Sequence, residues 1–119
     1  MTLAEPMPYL FRNADGDELL FVHAGAGRLE TDFGPLAYEP GDYLVIPFGV
    51  TWQLQLEEAP ARFFVIEAKG EVHTPRRYRN EFGQLLEHAP FCERDFRPPH
   101  ELEPSAERGE FEVRVKVRD

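Results

Sequence analysis

Between Leu19 and Glu67 the chain is written as short apolar or alternating runs, each closed by Gly, Pro or Asp, and this punctuation restricts the fold more than any other feature. Runs of that length are too short to pay out as helices and match the length of strands. Leu19–His23 is the first clear strand, preceded by the turn formers Asn13-Ala14-Asp15-Gly16-Asp17. Leu29, Thr31 and Phe33 alternate with Arg28, Glu30 and Asp32, one face dry and one wet, until Gly34-Pro35 closes the run. Glu39-Pro40-Gly41-Asp42 carries Pro and Gly at the two central positions of a type II turn and leads into a buried strand, Tyr43–Ile46. Pro47-Phe48-Gly49 ends it; Trp52, Leu54 and Leu56 then alternate with polar residues, and Phe63–Ile66 forms one more run. With the tail, these runs recur at roughly 8–12-residue spacing, as in an antiparallel sandwich or small barrel.

With 119 residues the chain is expected to form a single domain: a core over 1–70, and over 71–119 an irregular arm and terminal strand packed on it. The arm begins with a basic stretch, His73 to Asn80, and later carries Arg97-Pro98-Pro99. Its Phe82, Leu85, Leu86, Phe91 and Phe96 call for packing on the sheet or on another chain. The tail alternates Phe111, Val113, Val115 and Val117 with Glu112, Arg114, Lys116 and Arg118, a strand that runs to the last residue. It reads as the front part of something longer, and its open edge suggests self-association.

A formal charge of −9 repels a phosphate backbone and argues against nucleic acid or an anionic membrane surface as the partner. No run approaches the ~20 apolar residues of a membrane helix, and neither a basic start nor an apolar stretch marks a leader at Met1–Pro8. Cys92 is the single cysteine, which rules out an intrachain disulfide and fits a reducing, cytoplasmic setting; the expectation for it is a partly buried thiol.

The most specific spacing is Gly41, Pro47, Gly49, Trp52, that is G-x5-P-x-G-x2-W, preceded by Glu18 and Gly25 as E-x6-G. The pair resembles the two motifs of cupins, in which three His and the Glu bind a divalent metal within a jelly roll. The expected fold is therefore all-β, a cupin-type jelly-roll barrel or sandwich with an irregular C-terminal arm and a final edge strand. Here the histidine positions fall on Arg12 and Ala14, or Phe11 and Asn13, and the third on Trp52. Glu18 alone is kept, and one carboxylate beside an indole does not make up the three or so donors such ions take, so no metal is expected in this chain.

If Glu18 points inward, alternation sends Leu20 and Val22 inward and His23 outward. A pocket for a small apolar or aromatic ligand would then be lined by Glu18, Leu20, Trp52 and Leu54. A further reading gives Glu18 with Asp15 or Asp17 a hard cation and an isomerising or hydrating activity. Asn13, Asp15 and Asp17 resemble the opening of a calcium loop, but Gly16 is misplaced and the twelfth-position Glu is lacking, so a hairpin turn is expected. His73, His88 and His100 share no ligand-like spacing, and Arg76, Arg77 and Arg79 suit an intersubunit ion pair.

The resemblance narrows further. Tyr9–Glu18 (YLFRNADGDE), Leu29–Gly34 (LETDFG), Pro40–Pro47 (PGDYLVIP), Arg94–Arg97 (RDFR) and Gly109–Lys116 (GEFEVRVK) are, in order, similar to the non-catalytic N-terminal half of bacterial homogentisate 1,2-dioxygenases. The resemblance implies a two-cupin enzyme of tyrosine and phenylalanine breakdown that opens the homogentisate ring with dioxygen at a mononuclear Fe(II), giving maleylacetoacetate, and that assembles as a dimer of trimers. It places the iron ligands, two His and a Glu, in the C-terminal half. No catalytic residue is carried onto this chain, whose implied role is scaffold and subunit contact.

Overall fold

The computed structural model describes residues 1–99 and 112–117. Seven strands follow in chain order: β1 (Thr2–Leu3), β2 (Leu10–Asn13), β3 (Asp17–Thr31), β4 (Gly34–Tyr38), β5 (Tyr43–Ile46), β6 (Thr51–Ala68) and β7 (Val113–Lys116). They form one mixed sheet along β4-β3-β6-β2-β7, with β1 paired to β6 and β5 to β3; only β2 and β7 run parallel.

Two long strands organise it. β3 and β6 pair from Asp17↔Ala68 to Thr31↔Trp52, with register shifts between Val22 and Gly27. Such bulges add twist and bend the ladder. The first half of β3 therefore pairs with β5 and the second half with β4, and the sheet folds over on itself as a cupin-type β-sandwich. It does not close into a barrel.

The sequence reads Leu19–His23 and the Arg28–Phe33 alternation as separate strands, and likewise Trp52–Glu57 and Phe63–Ile66; the structure joins each pair into one long strand, β3 and β6. Glycine is what permits the first joining. Gly25 has φ +88°, and a Cβ there would lie 2.6 Å from the Ala61 Cα; at Gly27 it would meet the Gln55 carbonyl oxygen at 1.9 Å. β4 is an element the sequence reading passed over, because Gly34-Pro35 reads as a stop. Proline is admissible there because, among the described residues, β4 pairs on one side only, to β3.

The turns follow the sequence. Gly41 has φ +95° and Asp42 N–H closes on the Glu39 carbonyl at 3.1 Å; Gly49 has φ +80° and Val50 N–H closes on Pro47. Between the layers, Leu20, Val22, Leu29, Leu44, Ile46, Trp52, Leu54, Ala61 and Phe63 make a continuous core.

Among its described residues the arm contains two short 3-10 turns, Arg76–Tyr78 and Glu93–Asp95. Its aromatics stack mainly on one another: Phe91 meets Tyr78 and Phe96 edge-on at 5.9 and 5.6 Å, whereas Phe82 stays exposed. Lys116 ends β7, at the edge beside β2. His100, Phe111 and Arg118 lie outside the described residues.

Candidate functional site

Glu18 enters the interior because β3 alternates. Glu18, Leu20 and Val22 are buried on one face, and His23, displaced by the first bulge, is exposed. The Glu18 carboxylate accepts a hydrogen bond from Asn13 Nδ2 at 2.9 Å. Asn13 Oδ1 in turn accepts from the amides of Asp15 (2.8 Å) and Gly16 (3.2 Å), so the Asn13–Asp17 segment is an Asx-type turn.

Burial pushes the Glu18 carboxyl upward, the Asn13 bond pulls it back, and Glu67, its cross-strand register partner, raises it again. Lys116 tempers this, bonding Glu67 at 2.5 Å and lying 3.9 Å from Asp15. Asp17 is fully committed elsewhere: Oδ1 accepts from Phe48 N–H and Oδ2 from Val72 N–H, both at 2.7 Å. It thereby ties β3 to the β5–β6 turn and to the root of the arm. The sequence marked Asn13 and Asp17 as turn residues and Asp17 also as a candidate cation ligand beside Glu18; it did not show the Phe48 and Val72 amides as partners of Asp17, since these are remote in the chain.

Trp52, at the third cupin histidine position, is buried against Phe11 with rings at 5.4 Å and 66°. Its indole N–H has no hydrogen-bond partner among the described residues. An indole donates and offers no lone pair to a cation. Around Glu18 stand the Asn13 amide bonded to it and, across the ladder, Glu67 bonded to Lys116, a set without an imidazole that does not fit Fe(II). Among the described residues no group of three His, Cys, Asp or Glu is placed to hold a metal ion. His73 and His88 are exposed, and Cys92 is half-buried.

Leu20 and Leu54 are fully buried, and with Glu18 and Trp52 they belong to the packed interior. Open volume lies elsewhere. A cleft of about 720 Å³ separates β4 from β5 where the sandwich fails to close, walled by Leu29, Leu36, Leu44, Ile46 and Val50 and roofed by the arm at Asp95–Arg97. Arg97 pins that roof through an ion pair with Asp42.

Comparison with known proteins agrees with the fold. The family model described as homogentisate 1,2-dioxygenase N-terminal matches residues 2–117. A protein of Saccharolobus solfataricus named as a dioxygenase is 40% identical over 107 residues, which is 90% of this chain and 27% of that protein. Homogentisate 1,2-dioxygenase of Rhodopseudomonas palustris is 41% identical over 64 residues, 54% of this chain and 14% of the enzyme. The enzyme of Bradyrhizobium diazoefficiens is 39% identical over the same length. The chain thus spans about a quarter or less of these relatives.

Proposed function

The chain belongs to the homogentisate 1,2-dioxygenase N-terminal family, and from that premise we propose that it is a metal-free cupin module that serves as scaffold and subunit contact, with no chemistry of its own. The observation that carries this is the interior around Glu18, where Asn13 and Trp52 stand in place of imidazoles. On this reading the ring-opening of homogentisate, the Fe(II) it uses and its place in tyrosine and phenylalanine catabolism belong to a C-terminal catalytic half, in a cytoplasmic protein. Core and arm then act as one domain, a reading supported by Asp17, which sits on β3 and accepts from the Val72 amide at the root of the arm.

Elemental analysis and oxygen uptake test this. The purified chain, incubated with Fe(II) and desalted, should retain no stoichiometric iron and should consume no oxygen with homogentisate. Retained iron with turnover overturns the proposal.

The cleft favours a second reading, a binding module for a small apolar or aromatic molecule. Its size falls within the ~300–1,000 Å³ of ordinary ligand pockets, and its walls are aliphatic. A ligand-dependent rise in melting temperature that is lost in Leu36→Arg would support it.

A further inference from the structure

Strand alternation points one face of the β5–β3–β6 region away from the core, and that face is apolar. The register aligns Tyr43, Phe21 and Phe64 in one row across the three strands and Val45, Leu19 and Ile66 in the next. Tyr43 is 66% exposed, Phe64 64%, Val45 47% and Ile66 44%, while Phe21 and Leu19 between them are half-buried. Tyr43 and Phe21 rings touch at 4.8 Å. Phe48 and Val72, also exposed, line a hollow with Val45 and extend the patch.

Taking aromatic side chains at about 150–250 Å² each, the exposed fractions sum to roughly 400–600 Å² of apolar surface, the upper range for a single patch on a monomer. That is about half to three quarters of the ~800 Å² each partner contributes to a standard interface. No charged side chain stands within the two rows, although half-buried sheet faces ordinarily alternate with polar residues on the wet side.

We propose that this face is covered by a second copy of the chain, packed sheet on sheet about a two-fold axis that runs along the rows. The proposal deepens the subunit-contact role proposed above and rests on it. The two rows make the face complementary to itself. The axis reverses strand direction and exchanges the rows, so Tyr43 lies over Val45 of the second copy, Phe21 over its Leu19 and Phe64 over its Ile66. Each aromatic ring then meets a smaller aliphatic side chain, the large-against-small packing that lets two sheet faces interdigitate. At the rim the hollow is lined by Asp15, Asp17 and Glu71 against Lys69, so this border is acidic on balance. The net charge of −9 opposes association at long range, and salt should therefore strengthen it.

Sedimentation equilibrium of the full chain over micromolar concentrations tests the surface. The wild type should run at twice its monomer mass, more completely at high salt. Phe64→Lys and Ile66→Glu should each halve that mass with circular dichroism unchanged, because both side chains already face solvent. Mixed in equal amounts, the two variants should recover the doubled mass, since the proposed axis sets residue 64 over residue 66. Val115→Lys on β7, an equally exposed valine outside the face, should leave the dimer intact. A wild type that stays monomeric overturns the proposal, whether the face is bare or taken by the rest of a longer chain. So does a Phe64→Lys chain that still dimerises, or dissociation by Val115→Lys. The iron and oxygen assays do not depend on the oligomeric state, so a failure here is separable from a failure of the scaffold reading.

Discussion

The Asn13 side-chain amide donates to Glu18 Oε1 at 2.9 Å, and this bond holds the interior carboxyl of the sandwich. Burial still outweighs it, leaving Glu18 easier to protonate in the folded chain than in the unfolded one. In the window between its ordinary and its raised pKa, the folded state binds more protons than the unfolded state. The stability Glu18 contributes is therefore present at low pH and is lost as pH rises through the raised value. Glu18→Gln keeps an acceptor for Asn13 without a titrating proton. Urea denaturation at pH 4 to 7, compared with wild type, should show a flatter pH dependence and a variant at least as stable at pH 7.

Asp17 should tolerate change least among the polar residues. Both of its oxygens accept from amides remote in sequence, Phe48 and Val72. A hydrogen bond to a charged group contributes about 1.5–3 kcal/mol. Asp17→Ala should cost about 3 kcal/mol in urea denaturation, and Asp17→Asn, which keeps one acceptor oxygen, about half that. Hydrogen exchange at the Val72 amide should quicken in both.

The sequence and the structure part company over strand boundaries, and the reason is physical. Alternation put Glu18, Leu20 and Val22 inside and His23 outside, and Pro40-Gly41 and Phe48-Gly49 marked real turns; those are local properties of backbone and side chain. Gly25 and Gly27 were misleading because the same residue that ends a strand also admits another backbone at close range. Only the paired β6 distinguishes the two. Likewise the double acceptance by Asp17 and the gap between β4 and β5 depend on residues far apart in the chain, which no local pattern encodes. The histidine positions of the cupin spacing could be read directly, since a missing ligand is visible as a residue type.

Gly27 offers a direct check on that close approach. A Cβ there would meet the Gln55 carbonyl oxygen at 1.9 Å and the Tyr38 hydroxyl at 2.8 Å. The same hydroxyl donates to Gln55 O at 3.0 Å, and burial raises its pKa to about 12. Gly27→Ala must part the β3–β6 ladder or break that bond, a loss of about 3 kcal/mol or more on the scale of severe core lesions. Thermal denaturation would report it, and a melting temperature within a few degrees of wild type would contradict the contact.

Lys116 links the last described strand to the interior. Its ammonium bonds Glu67 and lies near Asp15, and its charge holds the Glu18 carboxyl lower than burial alone would leave it. The ion pairs are part-exposed, so Lys116→Met should cost only about 0.2–1 kcal/mol of global stability. The electrostatic effect is the more telling readout. With the cation gone, Glu67 acts on Glu18 unopposed and the Glu18 carboxyl should titrate at higher pH, which carbon-detected NMR of the side chain resolves. An unchanged Glu18 titration would show that β7 packs without coupling to the interior carboxyl.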